Sequence, residues 1–355
     1  MATNKLQAWF PTAKAPIIIS APMLGAANAT LAAAVSQAGG IGMIPGGLDF
    51  SSSSPHLVTL RASLLTAREH LSLPPSEPLP LGVGFLLFHP SLSKFVETTL
   101  PILTEHKVKA VFFFAPTPST NGEDGGIIKD ITSALHDQNI VVFFQVGNVA
   151  AARKAVQDGA DVVVAQGVDA GGHQFVAGSG VVSLVPEVVD MVGREFPGRE
   201  VSIVAAGGIV DGRGVAAGLA LGADGVVLGT RFLVADEADT PEYRRKLLIE
   251  TEDGGVSTAK STVHDDIQGT TFWPAPYDGR ALVGQSYKDH VSGLPMEENI
   301  KKYGDANQSG DTSRLVSWAG TGVGLVRKGG PAADIVRETR KEAVQSLRWL
   351  QGLYL

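Results

Sequence analysis

The residues of this chain best suited to chemistry lie close together, in Gln166-Gly-Val-Asp169-Ala-Gly171-Gly172-His173. They follow Asp161-Val-Val-Val-Ala165, a β-branched apolar run of the kind that forms a strand buried on both faces. The pattern predicts a rigid strand feeding a loop that carries Asp169 and His173 on a backbone nearly free of side chains, against which a flat ligand can lie. An imidazole titrates near neutral pH, so His173 is a candidate general base or anion binder. Taken alone, the two glycines and the histidine are equally a tight turn with a surface histidine. A second constellation lies downstream. Ala206-Gly207-Gly208 precedes a helix beginning near Asp211, and Gly229-Thr230 ends another apolar run. Backbone N–H groups there, with a helix N-terminus and the Thr230 hydroxyl, can hold a phosphate.

The elements that must position these groups alternate regularly. Strands are predicted at 15–20, 41–44, 81–87, 109–114, 140–144, 161–165, 202–205 and 225–228. Helices are predicted between them at 28–38, within 55–71, and at 91–106, 126–137, 148–157, 184–196 and 211–221, with Pro186 in the first turn of the sixth. Eight strands alternating with helices demand parallel pairing through right-handed crossovers and indicate an α/β fold, a closed (β/α)₈ TIM barrel. An open doubly wound sheet is disfavoured because no Gly-x-Gly-x-x-Gly follows the first strand.

In a barrel the site lies at the C-terminal ends of the strands. The loops there are 21–25, 45–47, 88–90, 115–118, 145–148, 166–173, 206–209 and 229–231. They are rich in Gly and Pro and have no acidic or histidine cluster with metal-ligand spacing, so no metal is expected. Residues 251–330 break the alternation and include Thr271-Phe-Trp-Pro-Ala-Pro-Tyr-Asp-Gly-Arg280. They are read as an excursion packed beside the mouth of a barrel made by 1–250 and 331–355. Pro331 opens a last helix over 332–350.

Composition bounds the rest. The chain has 355 residues, 44% hydrophobic and 18% charged, with 42 glycines spread along it, as in an ordinary globular protein. A net charge of -7 supplies no attraction for nucleic acid or an anionic membrane. The absence of cysteine excludes disulfides, a thiol nucleophile and zinc-thiolate sites. With no secretory signal pattern and no apolar run long enough to span a bilayer, a cytoplasmic protein is expected. The sequence does not set the oligomeric state.

Four motifs together resemble the nitronate monooxygenase family, formerly called 2-nitropropane dioxygenases. They are Ala21-Pro-Met-Leu-Gly25, Ala165-Gln-Gly-Val-Asp-Ala-Gly-Gly-His173, Ala205-Ala-Gly-Gly-Ile209 and Ala223-Asp-Gly-Val-Val-Leu-Gly-Thr-Arg-Phe232, within a resemblance running from about Ile17 to Val336. The resemblance implies FMN as cofactor and His173 as catalytic residue. It also implies that oxygen and an alkyl nitronate or nitroalkane are the substrates, and a carbonyl compound and nitrite the products. Residue by residue, it places Pro22 and Met23 along the isoalloxazine ring, Gln145, Gln166, Asp169, Gly171 and Gly172 at the flavin edge, and Gly207, Gly208, Gly229 and Thr230 at its phosphate. The chain departs from the family pattern at Gly84, where relatives often have asparagine, at Gln145, where many have lysine, and at Gln174-Phe175, where a glycine commonly ends the motif. The same pattern occurs in flavin-dependent enoyl-acyl-carrier reductases and quinone reductases, which leaves NAD(P)H-driven reduction as the alternative. A non-catalytic barrel binding flavin or a sugar phosphate is the other.

Overall fold

The computed structural model describes residues 4–117 and 126–354; Pro118, at the end of the fourth predicted loop, lies outside them. Among the described residues the strands are β1 (Ile18–Ser20), β2 (Gly42–Gly47), β3 (Leu79–Leu86), β4 (Val108–Phe114), β5 (Val141–Val146), β6 (Val162–Gln166), β7 (Gly172–Phe175), β8 (Ser202–Ala206), β9 (Gly225–Leu228), β10 (Thr258–Ser261) and β11 (Tyr277–Leu282). Eight form one sheet in the order β1-β9-β8-β6-β5-β4-β3-β2, every neighbouring pair parallel. A parallel bridge between Ile19 and Ile41, with Ile41 N–H donating to Ile18 O at 2.9 Å and Ser20 N–H to Ile41 O at 3.1 Å, joins the first strand to the second. The sheet is the expected (β/α)₈ barrel.

Strand periodicity explains both of its cores. Along each strand alternate side chains face opposite ways. Ile17, Ile19, Met43, Phe112, Val141, Phe143, Val162, Val164, Val204 and Val227 cluster inside the barrel, while Ile18, Ile44, Val83, Val111, Val142, Val163, Ala165, Ile203 and Val226 join the shell beneath the helices. Because both faces are buried, the strands read as continuous apolar runs and were legible as such. Leu6 and Phe10, from the N-terminal helix Lys5–Trp9 and its end, join the inner cluster, with the Phe10 and Phe143 rings edge to face at 6.3 Å.

Two helices differ from expectation. The 91–106 stretch is broken into a 3₁₀ turn, Pro90–Lys94, and the short helices Phe95–Thr98 and Leu100–Glu105; Pro101 has no N–H to continue a straight helix. The sixth helix begins earlier, at Val181, so Pro186 sits inside it rather than in its first turn. Val182, one turn before, is exposed, and water can satisfy the carbonyl that Pro186 leaves without a donor.

The loop expected at 166–173 is in fact partly strand. Its end, β7, pairs antiparallel with β11, His173 opposite Gly279, and β11 pairs with β10 in a second, three-stranded sheet. The helix Ala332–Tyr354 packs on Gly212–Ala220 and Ala29–Gln37. Among the described residues no helix is long and apolar enough to cross a membrane.

Candidate active site

The alternation that fills the barrel also decides what stands at its mouth. On β5, Val141 and Phe143 point inward, so Gln145 is the next inward position; on β6, Val162 and Val164 are followed inward by Gln166. By the same register Gly84 is an inward position of β3 opposite Phe112, and Leu86 and Phe114, opposite each other, are the last inward positions of β3 and β4. A Cβ at Gly84 would stand 2.4 Å from Pro22 Cβ, so the missing side chain is what lets the Pro22 ring lie against the β3 backbone at Gly84. Gly229, just past β9, leaves a space bordered by Met23 Sδ at 3.7 Å and Ala21 Cβ at 3.8 Å from where its Cβ would be. Gln166 donates through Nε2 to the His173 carbonyl at 3.2 Å, and its buried Oε1 has no partner among the described residues. The structure thus brings Pro22, Met23, Gln145, Gln166 and Gly229 to one end of the barrel, with His173 tethered to it.

His173 is enclosed. Its Nε2 lies 3.0 Å from both Asp265 Oδ1 and Asp265 Oδ2. Trp273 stacks on the imidazole at a ring separation of 3.6 Å and an interplanar angle of 13°, and Trp318 lies at 4.8 Å. Beyond Trp273 extends an aromatic wall: Phe114 to Tyr277 at 5.3 Å, Phe175 to Tyr277 at 5.0 Å and Phe88 to Trp273 at 5.0 Å. Burial pushes the Tyr277 phenol upward, so it stays protonated and donates to Pro116 O at 2.9 Å. Phe175 packs over Gly147, where a Cβ would meet Phe175 Cβ at 2.6 Å. The neighbouring His264 is buried, which lowers its pKa, and its Nε2 bonds Ala259 O at 2.9 Å.

The glycine loops meet a segment that sequence reasoning missed, Ala319-Gly-Thr-Gly-Val-Gly324. Asp169 accepts from Thr321 twice, Oδ1 from the hydroxyl at 2.9 Å and its carbonyl from the backbone N–H at 3.0 Å. Thr230 Oγ1 accepts from Gly320 N–H at 3.0 Å, which leaves its own proton to donate. A Cβ at Gly171 would come within 2.4 Å of Ala319 and Gly320 backbone atoms, so this glycine is needed for the close approach of that segment. Gly207 and Gly208 both have positive φ, 102° and 72°, conformations suited to glycine. Among the described residues the N–H groups of Gly208 and Ile209 have no acceptor, ahead of the helix Gly212–Ala220 that Asp211 caps. No group of three or more His, Asp or Glu gathers as a metal site among the described residues.

Asp265, Thr270, Trp273, Trp318 and Thr321 were not among the residues expected at the site. All belong to 251–330; Thr270 bonds Asp265 five residues before it, but the partners of the others are far away in the chain, 92 residues in the case of Asp265 and His173. No spacing rule could have found them.

Comparisons with known proteins agree with this fold. The family model for nitronate monooxygenase matches residues 102–342. A nitronate monooxygenase of Neurospora crassa is 56% identical over 99% of this chain and 95% of its own, and nitronate monooxygenase npaC of Metarhizium robertsii is 37% identical over 94% and 92%. Among solved structures, FabK from Thermotoga maritima superposes with a TM-score of 0.73 at 26% identity, covering 99% of this chain and all of that one. A nitroalkane oxidase from Streptomyces ansochromogenes shares the fold, with a TM-score of 0.73 at 24% identity over 97% and 99% of the two chains. With its motifs gathered at one barrel mouth and near-full-length relatives of this kind, the chain belongs to the nitronate monooxygenase family.

Proposed function

We propose that this chain uses FMN and oxygen to convert alkyl nitronates, and neutral nitroalkanes once deprotonated, into a carbonyl compound and nitrite. The observation that carries the reading is His173: a partly buried imidazole tied to the barrel mouth through Gln166 and flanked by an aromatic wall. That wall, Phe88, Phe114, Phe175, Trp273 and Tyr277, suits the apolar chain of an alkyl substrate.

The residues fit the cofactor on three counts. The unpartnered Gln166 Oε1 suits the N–H of a flavin pyrimidine edge. The N–H groups of Gly208 and Ile209 suit a phosphate at a helix N-terminus. The space at Gly229 opens beside Met23. On this reading Pro22 and Met23 line the flavin ring; Gln145, Gln166, Asp169, Gly171 and Gly172 lie at its edge; and Gly207, Gly208, Gly229 and Thr230 hold its phosphate. Residues 1–250 and 331–355 form the FMN-binding barrel, and 251–330 cover its mouth. When bound, FMN supplies the oxidation of the nitronate and the meeting with oxygen. His173 takes the α-proton of a neutral nitroalkane, and the aromatic wall excludes water from it.

The test is spectroscopic. Under anaerobic conditions, ethyl nitronate is expected to change the spectrum of the bound flavin while NADH leaves it nearly unaltered; rapid bleaching by NADH alone would replace this reading with hydride transfer. His173→Asn is expected to lose activity on nitroethane by a factor on the order of 10² to 10⁴ and to keep most activity on ethyl nitronate, which has no α-proton to remove. Near-wild-type rates on both substrates would remove His173 from catalysis.

A further inference from the structure

The carboxylate beside His173 is unusually well prepared for one task. Asp265 lies in the short helix Val263–Gln268, and its side chain is only 7% exposed. One of its oxygens accepts the Thr270 hydroxyl at 2.7 Å, and Thr270 N–H donates back to the Asp265 carbonyl at 3.0 Å, so the loop after the helix clamps the side chain. Both oxygens face a single imidazole nitrogen, Nε2 of His173. The other titratable groups nearby are engaged elsewhere: His264 Nε2 with Ala259 O at 2.9 Å, and Asp278 with Lys260 Nζ at 2.9 Å. Trp273 stacked on the ring limits its rotation.

We propose that Asp265, clamped by Thr270, is a positioning residue that holds His173 as the Nε2–H tautomer and thereby makes Nδ1 the base. A carboxylate only accepts, so a neutral imidazole facing it must carry its proton on Nε2, and the lone pair is left on Nδ1. Among the described residues Nδ1 has no hydrogen-bond partner. In the deprotonation step the Cα–H bond of the nitroalkane breaks, its electron pair becomes the C=N bond of the nitronate, and the proton passes to Nδ1. The resulting imidazolium places its Nε2–H against the Asp265 carboxylate, which stabilises the charge where it forms. The ion pair so produced stands beside the nitronate. The inference rests on His173 being the base, and it adds which nitrogen acts and what holds it.

The decisive readout does not depend on activity. Ring ¹⁵N shifts of the FMN-loaded protein, recorded above pH 8 and assigned to His173 by difference against His173→Asn, report the tautomer directly. The wild type is expected to show a protonated Nε2 and an unprotonated Nδ1. Asp265→Asn preserves shape and can still accept from Thr270, but its amide donates to Nε2 and should move the proton to Nδ1. This variant is then expected to lose activity on nitroethane by a factor on the order of 10² to 10⁴, as when an imidazole base is held in the wrong tautomer, and less than about threefold on ethyl nitronate. Asp265→Glu should restore part of the nitroethane activity and the Nε2–H signal. A wild type protonated on Nδ1, or an imidazolium persisting above pH 8, would overturn the proposal without any variant being needed. So would an Asp265→Asn protein with wild-type tautomer and wild-type substrate ratio. If instead His173→Asn keeps full activity on nitroethane while the Nε2–H tautomer is observed, the pairing stands and the assignment of His173 as base is what fails.

Discussion

Gly84 shows how a single missing side chain shapes the site. The family's frequent asparagine at this position would collide here with Pro22, a ring that cannot swing aside as a flexible chain would. The departure noticed in the sequence is therefore a packing exchange: a polar group is given up and Pro22 comes to rest against the β3 backbone at Gly84. If Pro22 lines the flavin, Gly84→Asn should displace it and weaken FMN binding at least tenfold, about 1.4 kcal/mol, with the far-ultraviolet spectrum unchanged. Flavin fluorescence titration measures this, and undiminished affinity would separate Pro22 from the cofactor. Phe175, another departure, has a similar explanation, because its ring packs against Phe114 and Tyr277 and its Cβ sits over Gly147.

At the scale of elements, His173 is carried by a strand rather than a loop. Pairing of β7 with β11 fixes its direction, and Gly279 opposite it is open to the Trp318 ring, which a Cβ would meet at 2.4 Å. Elsewhere a side-chain link ties a helix to two barrel strands. His136, at the end of the helix Ile127–His136, bonds Asp161 Oδ2 at 2.9 Å, and the same oxygen accepts Val142 N–H of β5 at 2.8 Å. The hydrogen bond to Asp161 raises the His136 pKa above its ordinary value. A raised folded pKa means stability that is fully present below the unfolded value, about 6.5, and lost as pH rises through the folded one. His136→Ala should therefore lower the melting temperature more at pH 5.5 than at pH 8.5. Because His136 is partly exposed, the difference should stay below about 1 kcal/mol. Equal losses at both pH values would show that the link contributes only packing.

At the scale of the molecule, the excursion reaches the barrel through glycines that bring backbone against backbone. A Cβ at Gly320 would stand 2.4 Å from Asp169 O and at Gly322 2.5 Å from Gly208 O, while within the excursion itself one at Gly324 would stand 2.3 Å from Glu252 O. The first two contacts touch the loops proposed for flavin edge and phosphate, so on that proposal docking of 319–324 and cofactor binding are expected to be coupled through the same few atoms. Gly322→Ala puts a methyl against a carbonyl that cannot move without disturbing the Gly207-Gly208 turn. The expected result is a loss of FMN affinity of at least tenfold together with faster proteolysis within 251–330, while barrel secondary structure persists. Proteolysis that accelerates with FMN affinity unchanged would show that the two are independent.

Much of this was written locally. The β-branched runs had to become strands buried on both faces, their number and alternation with helices led to a closed barrel, and the predicted strand ends then put Gln145 and Gln166 at its mouth, although the structure makes both of them strand residues. The Gly207-Gly208 turn was legible because paired glycines suit the positive φ that the chain takes there. What only the tertiary structure decided is the surroundings of His173. Gly172-His-Gln-Phe175 has no strand pattern of its own and becomes β7 because β11, about a hundred residues on, offers it hydrogen bonds. Asp265 meets the imidazole because the chain that carries β10 and β11 folds back against β7, and Trp273 and Trp318 arrive with it. A local pattern can encode burial and turn geometry, since both depend on a residue and its neighbours in sequence. It cannot encode which distant carboxylate will face a given imidazole, because that choice belongs to the packing of the whole chain.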